Sequence, residues 1–283
     1  MANKILITGA TGHIGNRVAE ILKDYDSLRL MSRQPEELAD FTRAEKVKGD
    51  YKDNATLQDA FDGIDTAFIV SGYAAPGQRA LLHKNAIAAA VIAGVKHIVY
   101  LSFQGASANS KFPMSQDHFQ TEEFIKQSGL SFTVLRDSFY MDLIPEMFGE
   151  QQLMKGPGGR GQVAWVARED VARTIAQVLL NPVAHQGTYD LTGPEALTLA
   201  QTAERLTQIQ GKNYRYQEET ITQAIRWRND LGAPAWEVAT WIGSYLAIAA
   251  GEVAPVSNAV EQITGQKPFS LEAYFTKFPE IIS

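Results

Sequence analysis

The first half of the chain alternates two hydrophobic rhythms. Short apolar runs, nearly continuous, occupy residues 4–8, 28–32, 66–70, 97–102 and 131–136, with a weaker one at 45–48. Runs of that length without alternation suit strands covered on both faces. Between them, residues 14–23, 54–61, 78–93 and 118–127 repeat apolar positions at helical spacing. Strand and helix in strict turn predict parallel pairing through right-handed crossovers, hence an α/β, Rossmann-type doubly wound sheet.

After Arg136 the rhythm changes. Residues 156–161 form a glycine-rich turn, followed by a strand-like VAWVA at 163–167, a helix at 169–180 and a strand-like segment at 187–191. From Thr198 the pattern is mainly helical: Thr198 and Gln201 have capping-box spacing, and Leu199, Ala203, Leu206 and Ile209 share one face. Further helices are expected at 220–231, 234–250, 258–264 and 271–277. The expected organisation is a nucleotide-binding domain over 1–152, with a returning segment at about 160–192, and a smaller, mainly helical substrate domain over 193–283.

The most apolar stretch, 233–250, carries Glu237 and is shorter than the roughly 20 residues a bilayer span needs. Pro234 and Gly251 punctuate it as a helix start and stop, so it reads as a buried helix and no membrane association is expected. The opening MANKILITG has no charged leader with a long apolar core, which predicts a cytoplasmic protein; the expected state is a monomer or a homodimer.

Composition narrows the chemistry. Across 283 residues the net charge is −6 with no basic block, which argues against a nucleic-acid partner. There is no cysteine, so disulfides, thiolate nucleophiles, iron–sulfur ligation and Cys-type zinc sites are excluded. No histidines and carboxylates stand at zinc-ligand spacing, and no metal is expected.

The stretch ILITGATGHIGNRV places Gly9, Gly12 and Gly15 between the first strand and an amphipathic helix. Gly9 permits a sharp turn, Gly12 lets the backbone approach a pyrophosphate at a helix N-terminus, and Gly15 permits close packing. The second strand ends Met31-Ser32-Arg33, with no acidic residue for a ribose 2′-hydroxyl. Arg33 either meets a 2′-phosphate, favouring NADP(H), or is a solvated surface arginine. Asp50, after the third strand, either faces the adenine edge or caps its own turn.

TGATGHIG, GDYKD, AGVKHIVYLS and LRDSFYMD together resemble the atypical short-chain dehydrogenase/reductases, most closely the NmrA-like family. That branch includes type-2 NADPH:quinone oxidoreductases and triphenylmethane reductases. The resemblance continues through VAREDVART, GTYDLTGPEALT and ITGQKP. It implies that Gly9, Thr11, Gly12, His13 and Ile14 line the pyrophosphate loop and that Arg33 meets the 2′-phosphate. It also implies that Val70, Ser71 and Gly72 lie under the cofactor, with Ser102 and Phe103 near the nicotinamide. The wider superfamily carries Tyr-x-x-x-Lys after the fifth strand; this chain has no such motif anywhere. With Glu122 aligned to the acidic residue that follows that lysine, Met114 takes the Tyr place and His118 the Lys place.

The missing pair selects among reactions. Hydride addition to a ketone makes an alkoxide that demands a positioned acid. A quinone yields a phenolate-type anion with pKa about 10, and a delocalised carbocation yields a neutral product. The expected function is therefore NADPH-dependent hydride transfer to a quinone-like or cationic aromatic small molecule. Phe103, Phe139 and Tyr140 are candidate substrate walls, with Met141 nearby, or else core aromatics. His118 and Tyr140 are the candidate catalytic residues, His118 being alternatively a satisfied helix histidine; His83 and His97 read as structural. The alternative is a non-catalytic NAD(P)-binding redox sensor acting through a protein partner.

Overall fold

The computed structural model describes residues 3–281. In chain order it runs β1 (Ile5–Ile7), α1 (His13–Ile21), β2 (Leu28–Ser32), β3 (Glu45–Lys48), α2 (Asn54–Phe61), β4 (Thr66–Ile69), α3 (Gln78–Ile92), β5 (His97–Phe103), α4 (Pro113–Gln127) and β6 (Ser131–Asp137). Then follow α5 (Ile144–Phe148), β7 (Leu153–Gly156), β8 (Gln162–Val163), α6 (Arg168–Leu180), β9 (Gly187–Leu191), β10 (Leu197–Thr198), α7 (Leu199–Gln210) and β11 (Arg215–Glu218). Helices α8 (Ile221–Asn229), α9 (Ala235–Ala249), α10 (Ala259–Thr264) and α11 (Leu271–Lys277) complete the order.

Seven strands form one sheet in the order β3-β2-β1-β4-β5-β6-β9. The pairs β3–β2, β2–β1, β1–β4 and β4–β5 are all parallel. This is the doubly wound sheet the alternation predicts, and β1 and β4 are buried along their full lengths. Strand order reverses between β1 and β4. In such sheets the crevice outside the carboxyl ends at that reversal is where ligands bind. A core cluster including Leu6, Phe61, Ile69, Ala90, Ile98, Tyr100 and Val134 fixes the sheet against its helices.

The chain divides into two compact units, one of residues 1–103, 117–136 and 171–189, the other of 104–116, 137–170 and 190–283. The expected division is 1–152 with a returning segment at about 160–192, and 193–283; here 171–189 return to the first unit, while 104–116 and 137–152 lie in the second. The chain leaves the first unit at Phe103 and Arg136, where strands end, and returns to it through most of α6. Apolar periodicity does not register which layer a strand's exit joins.

Within the second unit, VAWVA is not a strand over its length. Only Gln162–Val163 pairs, with Leu197–Thr198, while residues 164–167 run buried beyond that pair. The parallel pair of β7 and β11 had no legible signal, because β11 (RYQE) is mostly exposed. The glycine-rich turn is a packing device. A Cβ at Gly156 would meet the Tyr245 ring at 2.4 Å, and one at Gly161 would meet the Ile248 carbonyl at 1.9 Å. The capping box at Thr198 and Gln201 is present, and Thr220 with Gln223 forms a second. Helix α9 ends at the predicted place, with Gly251 at φ +76° after the cap. Among the described residues no helix is long and apolar enough to cross a membrane.

Candidate functional site

The β1–α1 loop is held by backbone geometry. Gly9 sits at φ +58°, Ala10 N–H donates to the Met31 carbonyl, and Gly12 N–H donates to the Gly9 carbonyl at 2.9 Å. Gly15 is required by the loop itself: a Cβ there would lie 2.3 Å from the Gly9 oxygen and 3.2 Å from Ala10 Cα. Gly12 is the N-cap of α1 and has no side chain to satisfy the first-turn amides. Those amides and the positive end of the helix dipole suit an anion. Thr11, Gly12 and His13 are exposed at this turn, while Ile14 is buried and anchors it.

Thr8 and Tyr51 stitch the loop to β4, and neither was singled out from sequence. The two hydroxyls share a 2.6 Å hydrogen bond, Tyr51 donates to the Val70 carbonyl at 2.9 Å, and Val70 N–H donates to Thr8 Oγ1 at 3.0 Å. Their signal was only a Thr at a strand end and a Tyr in a turn. Beside them, Thr11 and Ser32 hydroxyls lie 3.3 Å apart. Arg33 is exposed, and its guanidinium has no partner among the described residues. Asp50 caps its own turn, Oδ1 accepting from Lys52 N–H at 3.0 Å. That occupies one carboxylate oxygen and leaves the other.

Beneath the crevice, α3 and α4 place a polar cluster against the ends of β4 and β5. Residues 79 and 83, and residues 118, 121 and 122, bring it together at helical spacing, the one signal in sequence that could have assembled it. His83 accepts at Nε2 from Gly72 N–H (3.0 Å), so Nδ1 carries its proton and donates to Thr121 (2.9 Å). Burial pushes the His83 pKa down to about 3. His118 is buried too. Arg79 can only donate, so His118 Nε2 accepts from it and Nδ1–H donates to the Tyr100 hydroxyl at 2.8 Å. Burial first, then the Arg79 charge, holds the His118 pKa well below the ordinary histidine value. His118, a candidate catalytic residue by sequence, is thus a neutral ring with both nitrogens engaged.

Ser71 donates to the Leu101 carbonyl at 3.1 Å. Ser102 is fully buried and donates to Glu122 Oε1 at 2.6 Å, and that carboxylate takes Arg136 in a two-pronged pair at 2.8 and 2.6 Å. The Ser102 proton is committed to this pair. Phe103 stacks on the His118 ring, centroids 6.3 Å apart. Met114 is buried and offers no hydroxyl.

Phe139, Tyr140 and Met141 belong to the second unit. Phe139 packs against Phe112 (5.8 Å) and Trp165 (6.3 Å), an aromatic cluster of that unit. Tyr140 donates its hydroxyl to the Asp137 carboxylate, with the Arg168 guanidinium 5.0 Å from its ring. Burial and the Asp137 charge push the phenol well above its usual pKa. Its hydroxyl proton is engaged by that carboxylate. Among the described residues no group of three or more His, Asp or Glu could hold a metal.

A family model described as NAD(P)H-binding matches residues 9–182, more than half of the chain. The chain is 34% identical to quinone oxidoreductase 2 of Escherichia coli K12 over 224 residues, 75% of this chain and 77% of that protein. It belongs to the NmrA-like family of atypical short-chain dehydrogenase/reductases. Two solved structures agree in fold. That of the E. coli NADPH-dependent quinone oxidoreductase with NADPH has a TM-score of 0.88 at 29% identity, covering 97% of this chain and 99% of that one. That of the Citrobacter sp. triphenylmethane reductase with NADP(H) has a TM-score of 0.83 at 26% identity, covering 99% and 98%. The chain is an NAD(P)H-dependent oxidoreductase. The positive-φ turn at Gly9, the uncapped α1 amides and the Gly12 position, where a Cβ meets only the Gly9 oxygen within 4 Å, fit the dinucleotide.

Proposed function

We propose that the protein reduces quinone-like or cationic aromatic acceptors with NADPH, without a Tyr–Lys proton relay. The observation that carries this reading is the state of positions 114 and 118. One is a buried methionine and the other a neutral histidine with both ring nitrogens bonded. Neither can deliver a proton to an alkoxide, so the reaction must be one whose product needs no strong acid. NADPH, when bound, supplies the hydride.

The chain's own residues bind, orient and exclude water. Gly9, Thr11, Gly12, His13 and Ile14 would hold the pyrophosphate through backbone amides. Arg33, without a protein partner, would take the 2′-phosphate, and the open oxygen of Asp50 would meet the adenine edge. Val70, Ser71, Gly72, Ser102 and Phe103 line the ends of β4 and β5, the floor on which a nicotinamide would lie. Phe103, backed by the His118 ring, is the aromatic wall that the first unit offers an acceptor.

The test is acceptor-dependent NADPH oxidation across a panel of quinones and cationic triphenylmethane dyes. Turnover with either class supports the reading; inertness toward the whole panel removes it. The same lack of an acid suits a second reading, a redox sensor acting through a protein partner. Similar affinity for reduced and oxidised cofactor, with no turnover, would favour that one.

A further inference from the structure

Arg79 is a buried cation without a counter-ion. It is only 6% exposed, and among the described residues no carboxylate stands within ion-pair distance of it. Its Nη2 donates to His118, its Nε is buried with no partner, and Nη1 makes no hydrogen bond yet is not closed off. Asp117 feels the charge but spends Oδ1 on Gly77 N–H at 2.8 Å. Taking a guanidinium out of water with one donor unsatisfied is unfavourable unless something compensates it. His118 does not; it is neutral and serves as a rigid acceptor that fixes one edge of the guanidinium. The groups around it are those at the ends of β4 and β5. Tyr100, which accepts from His118 Nδ1–H, bonds Ser71; His83 holds Gly72; Phe103 covers the His118 ring.

We propose that Arg79 selects neutral, anion-forming acceptors: its charge stabilises the anion that forms on a reduced quinone and gives no such help to a cationic dye. This rests on the quinone-or-dye reading above and narrows it. In the step concerned, the quinone gains a hydrogen and an electron pair as the dihydronicotinamide C4–H bond breaks. One carbonyl oxygen forms an O–H bond and the other carries the negative charge, while the nicotinamide is left oxidised. That second oxygen later takes its proton from water. A cationic dye accepts the same hydride at carbon and becomes neutral, so a nearby cation offers nothing and opposes binding.

The test compares wild type with Arg79→Gln and Arg79→Lys on one neutral quinone and one cationic triphenylmethane dye. A hydrogen bond to a charged group is strong enough for Arg79→Gln to lower quinone kcat/KM about tenfold to hundredfold. The dye rate should hold or rise, and Arg79→Lys should recover most of the quinone rate. A turnover-free readout accompanies it: 4-nitrophenolate, added to the NADP⁺-loaded protein and followed by its visible band, should bind more weakly to Arg79→Gln by a similar factor. Asp117→Asn keeps Arg79 and removes the unpaired carboxyl group whose electrostatics it influences, so it should move the quinone-to-dye ratio the other way, and it serves if Arg79→Gln does not fold. Equal loss on both acceptors, no recovery by lysine and unchanged phenolate affinity would overturn the proposal. Wild type inert toward all acceptors defeats the functional reading instead, and the phenolate titration then decides Arg79 alone.

Discussion

Replacing Gly12 by alanine separates the folding role of the glycine loop from its binding role. The Gly12 backbone, at φ −81° and ψ 163°, is ordinary for any L-residue. A Cβ there meets nothing within 4 Å except the Gly9 oxygen at 3.3 Å, a few tenths of an ångström tight. Alanine is a poorer N-cap than glycine by several tenths of a kcal/mol, so the total should stay below about 1 kcal/mol. For a chain of this size that is a melting shift within about 4 °C. The same methyl fills space that a pyrophosphate must enter to reach the α1 amides. Losing one charge-assisted hydrogen bond, worth roughly 1.5–3 kcal/mol, weakens NADPH about tenfold to hundredfold. NADH should weaken equally, because the pyrophosphate is common to both. Gly15→Ala is the contrast. Its Cβ would overlap the Gly9 oxygen at 2.3 Å, backbone against backbone, where no side chain can rotate away. Overpacking of about 1–3 kcal/mol offsets the helix-propensity gain of about 1 kcal/mol, and the unliganded protein itself should melt lower. Fluorescence titration of NADPH and thermal melts of both variants provide the measurements. Wild-type NADPH affinity in a stable Gly12→Ala protein would refute the loop's proposed role.

Arg33→Ala should raise the Kd for NADPH about tenfold to hundredfold and leave NADH nearly unchanged, since only a 2′-phosphate can use that guanidinium; equal effects on the two cofactors would remove the role. A second prediction concerns pH. Burial drives His97 down to about 4, against about 6.5 in an unfolded chain. Between those values the unfolded state binds the extra proton. The stability from this group is therefore intact above about pH 6.5 and is lost as pH falls toward 4, by about 1.4 kcal/mol per pH unit. Urea unfolding at pH 5 and pH 7 should show a smaller difference for His97→Asn than for wild type; an unchanged difference would place the titration elsewhere.

Sequence alone determined the parts of this protein that local physics dictates. Alternating strand and helix runs gave the doubly wound sheet, because a covered parallel strand must be apolar throughout and its crossover must be amphipathic. Glycines at 9, 12 and 15 marked the strand-to-helix loop, where Gly9 takes a positive φ and Gly15 leaves no room for a Cβ, and Thr198 with Gln201 marked a helix start through their own hydrogen bonds. The absent Tyr-x-x-x-Lys was equally legible, being a matter of residue identity. Tertiary structure alone decided what the polar residues in that space do. His118 is neutral because burial penalises its charged form and the Arg79 cation opposes a second charge, while Arg79 and Tyr100, from another helix and a strand, occupy its two nitrogens. The Tyr140 hydroxyl donates to Asp137, and the Ser102 hydroxyl donates to Glu122. Arg79 itself carries no motif. Its isolation is a property of burial and of distances to carboxylates far away in sequence, and electrostatics of that kind exists only once the chain has folded.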